Sequence, residues 1–301
     1  MNFELFYSRL RSVLLDYNII DNVLNFHFSN SAISIAKLSG DYTSCLIEFK
    51  TFLESSISKD LNSNHFFINR PYIRRFDFEN GKCLKIAIIN NQSLEWYGNI
   101  NSSASFDFLI EDKAGFFKDC TKFLDLGGHQ MIWAIYYASI SKLSKVISFE
   151  PSLINVLIGL FNCLINDKLE CVDIVPFAVS VEKKSIDSKN MLVDFMNIPI
   201  QTVFIDNYLK DKFDFIKTDI EGYEYELLLS HLYIQALLKS KSSHFELHLG
   251  HLIKRGITKT DCINRLRYGG IVATEFYSGI DMYEYLNTCD PESYPAFLIN
   301  N

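Results

Sequence analysis

The sequence predicts an α/β protein: a mostly parallel sheet with an antiparallel last strand, preceded by an N-terminal α+β extension. Three observations lead there. From about residue 120, apolar strand candidates at 122–126, 145–149, 172–177, 213–218 and 243–249 alternate with stretches long enough for crossover helices. That alternation marks a parallel sheet covered on both faces. The first of these strands runs into a glycine turn, "TKFLDLGGHQMIWAI" at 121 to 135. The chain then ends in "GGIVATEFY" and "YPAFLIN", two strand candidates with no evident crossover helix between them, which suits an antiparallel finish.

At 301 residues the chain has room for a core domain and an extension. The transition is placed near residue 115, giving residues 1–115 and 116–301. In the extension, Phe3, Phe6, Leu10 and Val13 share one helical face, and Leu46, Phe49, Leu53, Ile57 and Leu61 share another. "IRRFDFENGKCLKIAII" follows, with Asn80-Gly81 between two alternating runs, the signal for a hairpin closed by a type I′ turn. The polar stretch 90–105 predicts a loop, with Trp96 and Tyr97 either pinning it or forming a substrate platform. "FDFLIE" at 106–111 predicts another strand. The extension is expected to cap the site or to make an oligomer contact.

Composition narrows the function. Hydrophobic residues make up 48% of the chain, including 25 Phe and 16 Tyr, enough for a packed core. The formal charge of -7, from 29 basic and 36 acidic residues, repels a phosphate backbone and argues against a nucleic-acid partner. Arg70, Arg74 and Arg75, and Arg265 with Arg267, are expected to be ordinary surface arginines. The seven cysteines include no C-x-x-C pair, which disfavours a disulfide framework or a zinc knuckle and fits a reducing cytoplasm. The opening "MNFELFYSRLRSVLL" lacks the basic lead of a signal peptide. The most apolar run, "LINVLIGLFNCLI" at 153–165, is too short to span a bilayer and predicts a buried helix.

The chemistry gathers at the turns. In open α/β sheets, ligands bind beyond the carboxyl ends of the strands. Asp125, Gly127 and Gly128 end the first core strand, and glycine lets backbone approach a ligand closely. "KVISFEPSL" ends the second strand in Glu150, 25 residues after Asp125, before Pro151 turns the chain away. A carboxylate there can accept hydrogen bonds from both ribose hydroxyls. A dinucleotide site would want G-x-G-x-x-G; this loop offers G-G-H-Q-M, which suits S-adenosylmethionine, a cofactor with a ribose but no phosphate. Further on, "FDFIKTDIEGYEYELLLSHL" places Asp219 and Glu221 two apart, and "HFELHL" does the same with Glu246 and His248. Spacing alone also allows Asp219 an N-cap role, and Glu221 and Glu224 a helix-dipole role.

The series "FLDLGGHQ", "VISFEPS", "VPFAVS", "FIDNYL", "FDFIKTDIEGYEYELL" and "FELHL" resembles the FkbM family of S-adenosylmethionine-dependent methyltransferases over about residues 110 to 276. The resemblance implies the class I methyltransferase (Rossmann-like) fold, a seven-stranded sheet with its last strand antiparallel. It implies O-methylation, commonly of a sugar or polyketide hydroxyl, so the acceptor partner is expected to be a glycan or small molecule. By position, Asp125 and Gly127, with Gly128 and His129 beside them, would line the methionine end of the cofactor. Glu150 would hold the ribose, Pro151 would belong to the same cofactor site, and Ala178 would lie near the adenine. Lys217, Asp219, Glu221, Glu246 and His248 would face the acceptor. The family's loop usually resembles D-x-G-A-N-x-G; here His129 stands where Asn is common and Met131 where the last glycine is common. Met131 could narrow the loop or point into the helix core.

His248 is expected to act as general base, oriented by Asp219 or Glu221. A variant of this expectation seats a divalent metal on Asp219, Glu221 and His248; the favoured version needs none. The rival to an enzyme is a catalytically silent partner subunit of the same fold.

Overall fold

The computed structural model describes residues 18–20, 23–28, 31–36, most of 46–54, 67–78, 80–98, 106–182, 200 and 202–300. The chain divides into two compact units, residues 1–105 and 106–301.

In the first unit, β1 (Asn18–Ile20), β2 (Val23–Phe28) and β3 (Ser31–Ala36) form an antiparallel sheet in that order. The expected helix at 46 is present over its described part, with Leu46, Phe49 and Leu53 buried on one face. The expected helix beginning at Phe3 lies outside the described residues, as do Ile57 and Leu61.

β4 (Phe67–Asp77) and β5 (Cys83–Asn90) pair antiparallel, as the hairpin signal predicts. Its turn differs. Gly81 donates to Phe78 O at 3.0 Å and Phe78 donates to Lys82 O at 2.9 Å, with φ +77° at Gly81 and no positive φ at Asn80. Type I′ requires both central residues left-handed, so the hairpin closes through a longer loop. Residues 91–98, expected as loop, form a helical turn (Asn91–Ser93) and a π-turn (Leu94–Gly98). The cause is local: Asn90 and Ser93 make a reciprocal capping box that starts a helix. Tyr97 is buried, its carbonyl accepting from Arg74, while Trp96 is exposed.

The second unit begins with α1 (Asp107–Lys113), where a strand was expected. Ile110 is exposed, while Asp107, Phe108 and Glu111 are buried at helical spacing. Phe108 stacks on Tyr136 at 4.2 Å, and Tyr136 donates to Asp112 at 2.7 Å. These contacts assign α1 to the second unit and move the boundary ten residues ahead of its expected place.

The strands follow as β6 (Lys122–Leu126), β7 (Lys145–Phe149), β8 (Val172–Val175), β9 (Ala178–Ser180), β10 (Thr202–Phe204), β11 (Phe215–Thr218), β12 (Ser242–Glu246), β13 (Thr274–Glu275) and β14 (Ala296–Asn300). The helices are α2 (Ile132–Tyr137), α3 (Leu153–Ile165), α4 (Glu224–Leu227), α5 (His231–Lys239), α6 (Leu249–Lys254), α7 (Lys259–Tyr268) and α8 (Met282–Thr288). The main sheet has seven strands in the order β13-β14-β12-β11-β6-β7-β8. β8, β7, β6, β11 and β12 run parallel, and β14 pairs antiparallel with both β12 and β13. This is the mostly parallel seven-stranded sheet with an antiparallel last strand of the class I methyltransferase fold. Strand order reverses between β6 and β11, so the ends of those strands define the binding crevice.

One correction concerns the end of the chain. A helix, α8, does separate the last two strands; Asp281 caps it by accepting from the amides of Tyr283 and Glu284.

Both sheet faces are covered. On one, Leu124, Leu126, Ile216, Phe245 and Leu247 join Tyr233, Leu237, Cys262, Leu266 and Leu286 in a single apolar cluster. On the other, Phe123 and Phe215 meet Phe117 and Tyr137, the Phe123 and Tyr137 rings stacking at 5.0 Å. α3 is the buried helix expected at 153–165, with Cys163 fully buried. Among the described residues no helix is long and apolar enough to cross a membrane. The surface arginines have local partners, Arg75 with Asp77 and Arg265 with Leu228 O.

Asp214 fastens the opposite, amino-terminal edge of the sheet. Its Oδ2 accepts from the amides of Thr121 (2.9 Å) and Lys122 (3.1 Å), and Lys241 lies 3.3 Å from Oδ1. Asp214→Ala leaves both amides without this acceptor and should lower stability by about 1–3 kcal/mol in urea denaturation.

Candidate active site

The loop between β6 and α2 is built on alternating left-handed residues: Gly127 at φ +91°, His129 at +47° and Met131 at +64°. Gly127 is obligatory for a packing reason. A Cβ on it would sit 1.6 Å from the carbonyl oxygen of Asp219, so the two strand-end turns touch backbone to backbone. The amides of Gly127 and Gly128 both donate to Phe149 O, at 3.0 and 2.8 Å. Asp125, fully buried, accepts from Ser148 Oγ at 2.6 Å.

Met131 is fully buried and opens α2. Its side chain runs between Gly128 and Gly159 of α3. A Cβ on Gly159 would meet Met131 Cγ at 2.4 Å, and one on Gly128 would meet Met131 Cε at 2.9 Å. Of the two expected placements, Met131 takes the inward one. The same face of α3 presents Asn155 and Asn162, both buried. Asn162 Nδ2 donates to Gln130 O at 3.0 Å. Asn155, Gly159 and Asn162 thus hold the loop from behind.

Glu150 faces the loop from the end of β7. Its Oε2 accepts from the His129 amide at 2.9 Å and its Oε1 from the Ser152 amide at 2.8 Å. The Asn155 side chain adds a third hydrogen bond to the same carboxyl. Burial pushes the carboxyl up to about 8, against the two amides and the Asn155 side chain that pull it down. Burial likewise pushes the His129 ring down to about 4, so it is neutral. Pro151 follows directly, half-buried, and Ala178 starts β9 beside β10.

Lys217 lies on β11 in register with Asp125 on one side and His244 on the other. Its ammonium, 2% exposed, donates to Gly127 O and to Asp219 Oδ2, both at 3.0 Å, and stands 3.6 Å from Asp125 Oδ1. Burial alone would strip its charge; Asp219 and Asp125 outweigh it and hold the pKa above the ordinary lysine value. Lys217 therefore ties the crevice together from beneath.

Beyond it stands His248, 4% exposed, just past β12. Its Nδ1 is 2.8 Å from Oε1 of Glu224, itself fully buried. The same Glu224 oxygen accepts from the amides of Gly222 (3.0 Å) and Ile220 (3.3 Å). Nε2 faces three further carboxylates: Glu221 at 3.4 Å, Asp219 at 3.6 Å and Glu246 at 3.7 Å. Burial opposes a charge on the ring, but Glu224, Asp219 and Glu221 prevail and raise it to about 9. Burial, then the Asp219 charge, lifts Glu246 to about 7. Burial would raise Asp219 too, yet Lys217 and His248 hold it below the usual carboxylate value.

The turn that carries these groups is strained. Glu221 adopts φ +56°, uncommon for a residue with a Cβ, and Gly222 follows at +97°. A Cβ on Gly222 would strike His251 Cβ at 2.6 Å. The His251 ring stacks on His248 at 5.7 Å, and Tyr294 lies 5.2 Å from His248.

The structure thus brings Asp125, Gly127, Gly128, His129 and Glu150 into one loop assembly, and Asp219, Glu221, Glu246 and His248 into one cluster. Lys217 joins the two. Glu224, seen from sequence only as a dipole residue, turns out to be what orients His248. His251 and Tyr294 were not singled out.

Residues 125–249 match the model of the methyltransferase FkbM domain. This stretch is an FkbM methyltransferase domain. The match runs from Asp125 to one residue past His248, so every expected site residue falls inside the FkbM domain. No curated protein matches the chain. Similar solved structures include the Methanococcus jannaschii fibrillarin pre-rRNA processing protein, 13% identical with TM-score 0.42, the match covering 94% of this chain and 95% of that one. The O-methyltransferase from Bacillus cereus in complex with SAH is 12% identical with TM-score 0.35, covering 69% and 94%. Aeropyrum pernix fibrillarin with natively bound S-adenosyl-L-methionine is 9% identical with TM-score 0.39, covering 76% and 93%. The fold of the FkbM domain is assigned on its strand order.

Restoring a glycine at position 131 tests the seat of Met131. Met131→Gly removes a left-handed side chain, a gain of about 1–2 kcal/mol, but empties a buried site, a loss of about 2–5 kcal/mol. The cavity should win, lowering the denaturation midpoint.

Proposed function

We propose that the chain is an S-adenosylmethionine-dependent methyltransferase that O-methylates a hydroxyl of a sugar, a glycan or another small molecule. One observation carries this reading: the Gly127 turn packs directly on the Asp219 carbonyl, so the cofactor loop and the carboxylate–His248 cluster share one crevice at the carboxyl edge of the sheet. The residues fit the cofactor. Glu150, beyond its bonds to two amides and Asn155, keeps acceptor capacity for a ribose hydroxyl. Asp125, Gly127, Gly128 and His129 would lie at the methionine end, Pro151 beside the ribose, and Ala178 toward the adenine.

The cofactor supplies a methyl group already activated on a sulfonium. The chain must hold the acceptor oxygen in line, at about 3–3.5 Å from the reacting carbon, and find a place for its proton. The cluster of Asp219, Glu221, Glu246 and His248 performs both tasks. Its carboxylates accept from sugar-like hydroxyls, and its net negative charge complements a cationic cofactor. Lys217 holds Asp219 in place, and Glu224 does the same for His248.

Calorimetric titration with S-adenosylmethionine and S-adenosylhomocysteine tests the reading, with Glu150→Ala as control. Micromolar binding lost in the variant is expected; binding of neither ligand would remove the methyltransferase reading and favour a silent partner subunit. The Glu150 carboxyl, held near 8, is mostly protonated below that pH and ionised above it. Cofactor affinity should therefore rise as pH is raised through about 8, and Glu150→Gln should flatten the rise and weaken binding by roughly tenfold or more. His248, held near 9, can accept the acceptor's proton only after losing its own, so turnover should rise as pH is raised toward about 9, and His248→Ala should reduce it by about 10²- to 10⁴-fold with cofactor affinity unchanged. Near-native turnover in that variant would remove His248 from the chemistry.

A further inference from the structure

We infer that Asp219, Glu221 and His248 form a divalent-cation site at the acceptor side of the crevice. The inference rests on the methyltransferase reading only for its purpose, which is to bind and acidify the acceptor hydroxyl; the site itself is argued from geometry.

One ligand atom from each of the three residues lies within 4.8 Å of the others. His248 Nε2 is 3.4 Å from Glu221 Oε2 and 3.6 Å from Asp219 Oδ1. Ligands around a cation at roughly 2.0–2.4 Å stand about 3–3.5 Å apart, close to the two His248 spacings. Glu246 Oε1, at 3.7 Å from Nε2, is placed as a fourth ligand or as the partner of a bound water.

Acidic residues near a histidine are common. Three features separate this cluster from that background. First, the His248 side chain is 5% exposed and turns Nε2 toward three carboxylate oxygens at 3.4 to 3.7 Å. Second, two of the three ligands, Asp219 and His248, are oriented from behind by a group outside the set. Glu224 holds Nδ1 of His248 at 2.8 Å, the carboxylate–histidine pairing that directs Nε2 to a metal. Lys217 takes Oδ2 of Asp219 and leaves Oδ1 facing the cluster. Third, the third ligand is delivered by strain: Glu221 holds a left-handed conformation at φ +56° that puts its carboxylate beside Nε2. Four carboxylates surround this one imidazole, and the nearby cation, Lys217, is shared with Asp125. A dication compensates that excess where a single proton does not.

One imidazole with two or three carboxylates suits Mn²⁺ or Mg²⁺. Bound there, the ion would lower the pKa of a coordinated hydroxyl and fix its position.

The test uses the full chain, freed of metal by chelation, titrated with Mn²⁺ while the free ion is followed by electron paramagnetic resonance. One Mn²⁺ per chain is expected. Glu221→Gln should weaken it by about tenfold or more. Glu221 is two-thirds exposed, so this variant should keep the native melting temperature. Asp219→Asn should weaken it likewise. Mn²⁺ that fails to bind at one per chain, or that binds Glu221→Gln as well as wild type, overturns the site. S-adenosylmethionine binding is measured separately on the same samples. Cofactor binding without Mn²⁺ binding sinks the metal site and leaves the methyltransferase reading; Mn²⁺ binding without cofactor binding does the reverse.

Discussion

The ammonium of Lys217 is the interaction on which the crevice depends. It sits where strand order reverses, beneath the two turns that must meet there. It faces the buried Asp125, accepts a place under the Gly127 carbonyl and holds Asp219. A buried charge without partners costs several kcal/mol, so each member of this set is tolerable only because the others are present. The Gly127–Met131 loop and the acid cluster are therefore not two sites brought near each other by chance. They are two ends of one charge arrangement, with Trp133 covering its apolar side at 5.2 Å.

The sheet was legible because parallel strands buried on both faces read as apolar-rich runs, as β6, β7, β8 and β11 do. The errors came where local pattern and tertiary contact disagree. "FDFLIE" alternates like a strand, yet what decides its state is the docking of Phe108 on Tyr136 and of Glu111 on His244, at 2.8 Å. No periodicity argument sees residues 133 positions away. α8 was missed for the opposite reason: its Asp281 cap was readable but its aromatic and polar interior lacked a clear stripe.

In the site, residue types were legible and roles less so. Asp125, Glu150, Asp219 and His248 stood out as polar groups at strand ends. That Glu224 would orient His248 depends on how the α4 turn meets the end of β12, a register no spacing rule reports. In the apolar run "LINVLIGLFNCLI", Asn155, Gly159 and Asn162 recur at helical spacing, and a polar or glycine stripe in a buried helix needs something to receive it. That something is Gln130 and Met131.

The Met131–Gly159 contact has an evolutionary corollary. Gly159 sits inside a helix, where alanine would ordinarily be better by about 1 kcal/mol. It survives because the volume a methyl group would take belongs to Met131. The two positions can drift only in concert: a lineage must shrink residue 131 before it can enlarge residue 159. Relatives of this chain should therefore sort into two states, methionine facing glycine or a small residue facing a larger one, with few mixtures between them.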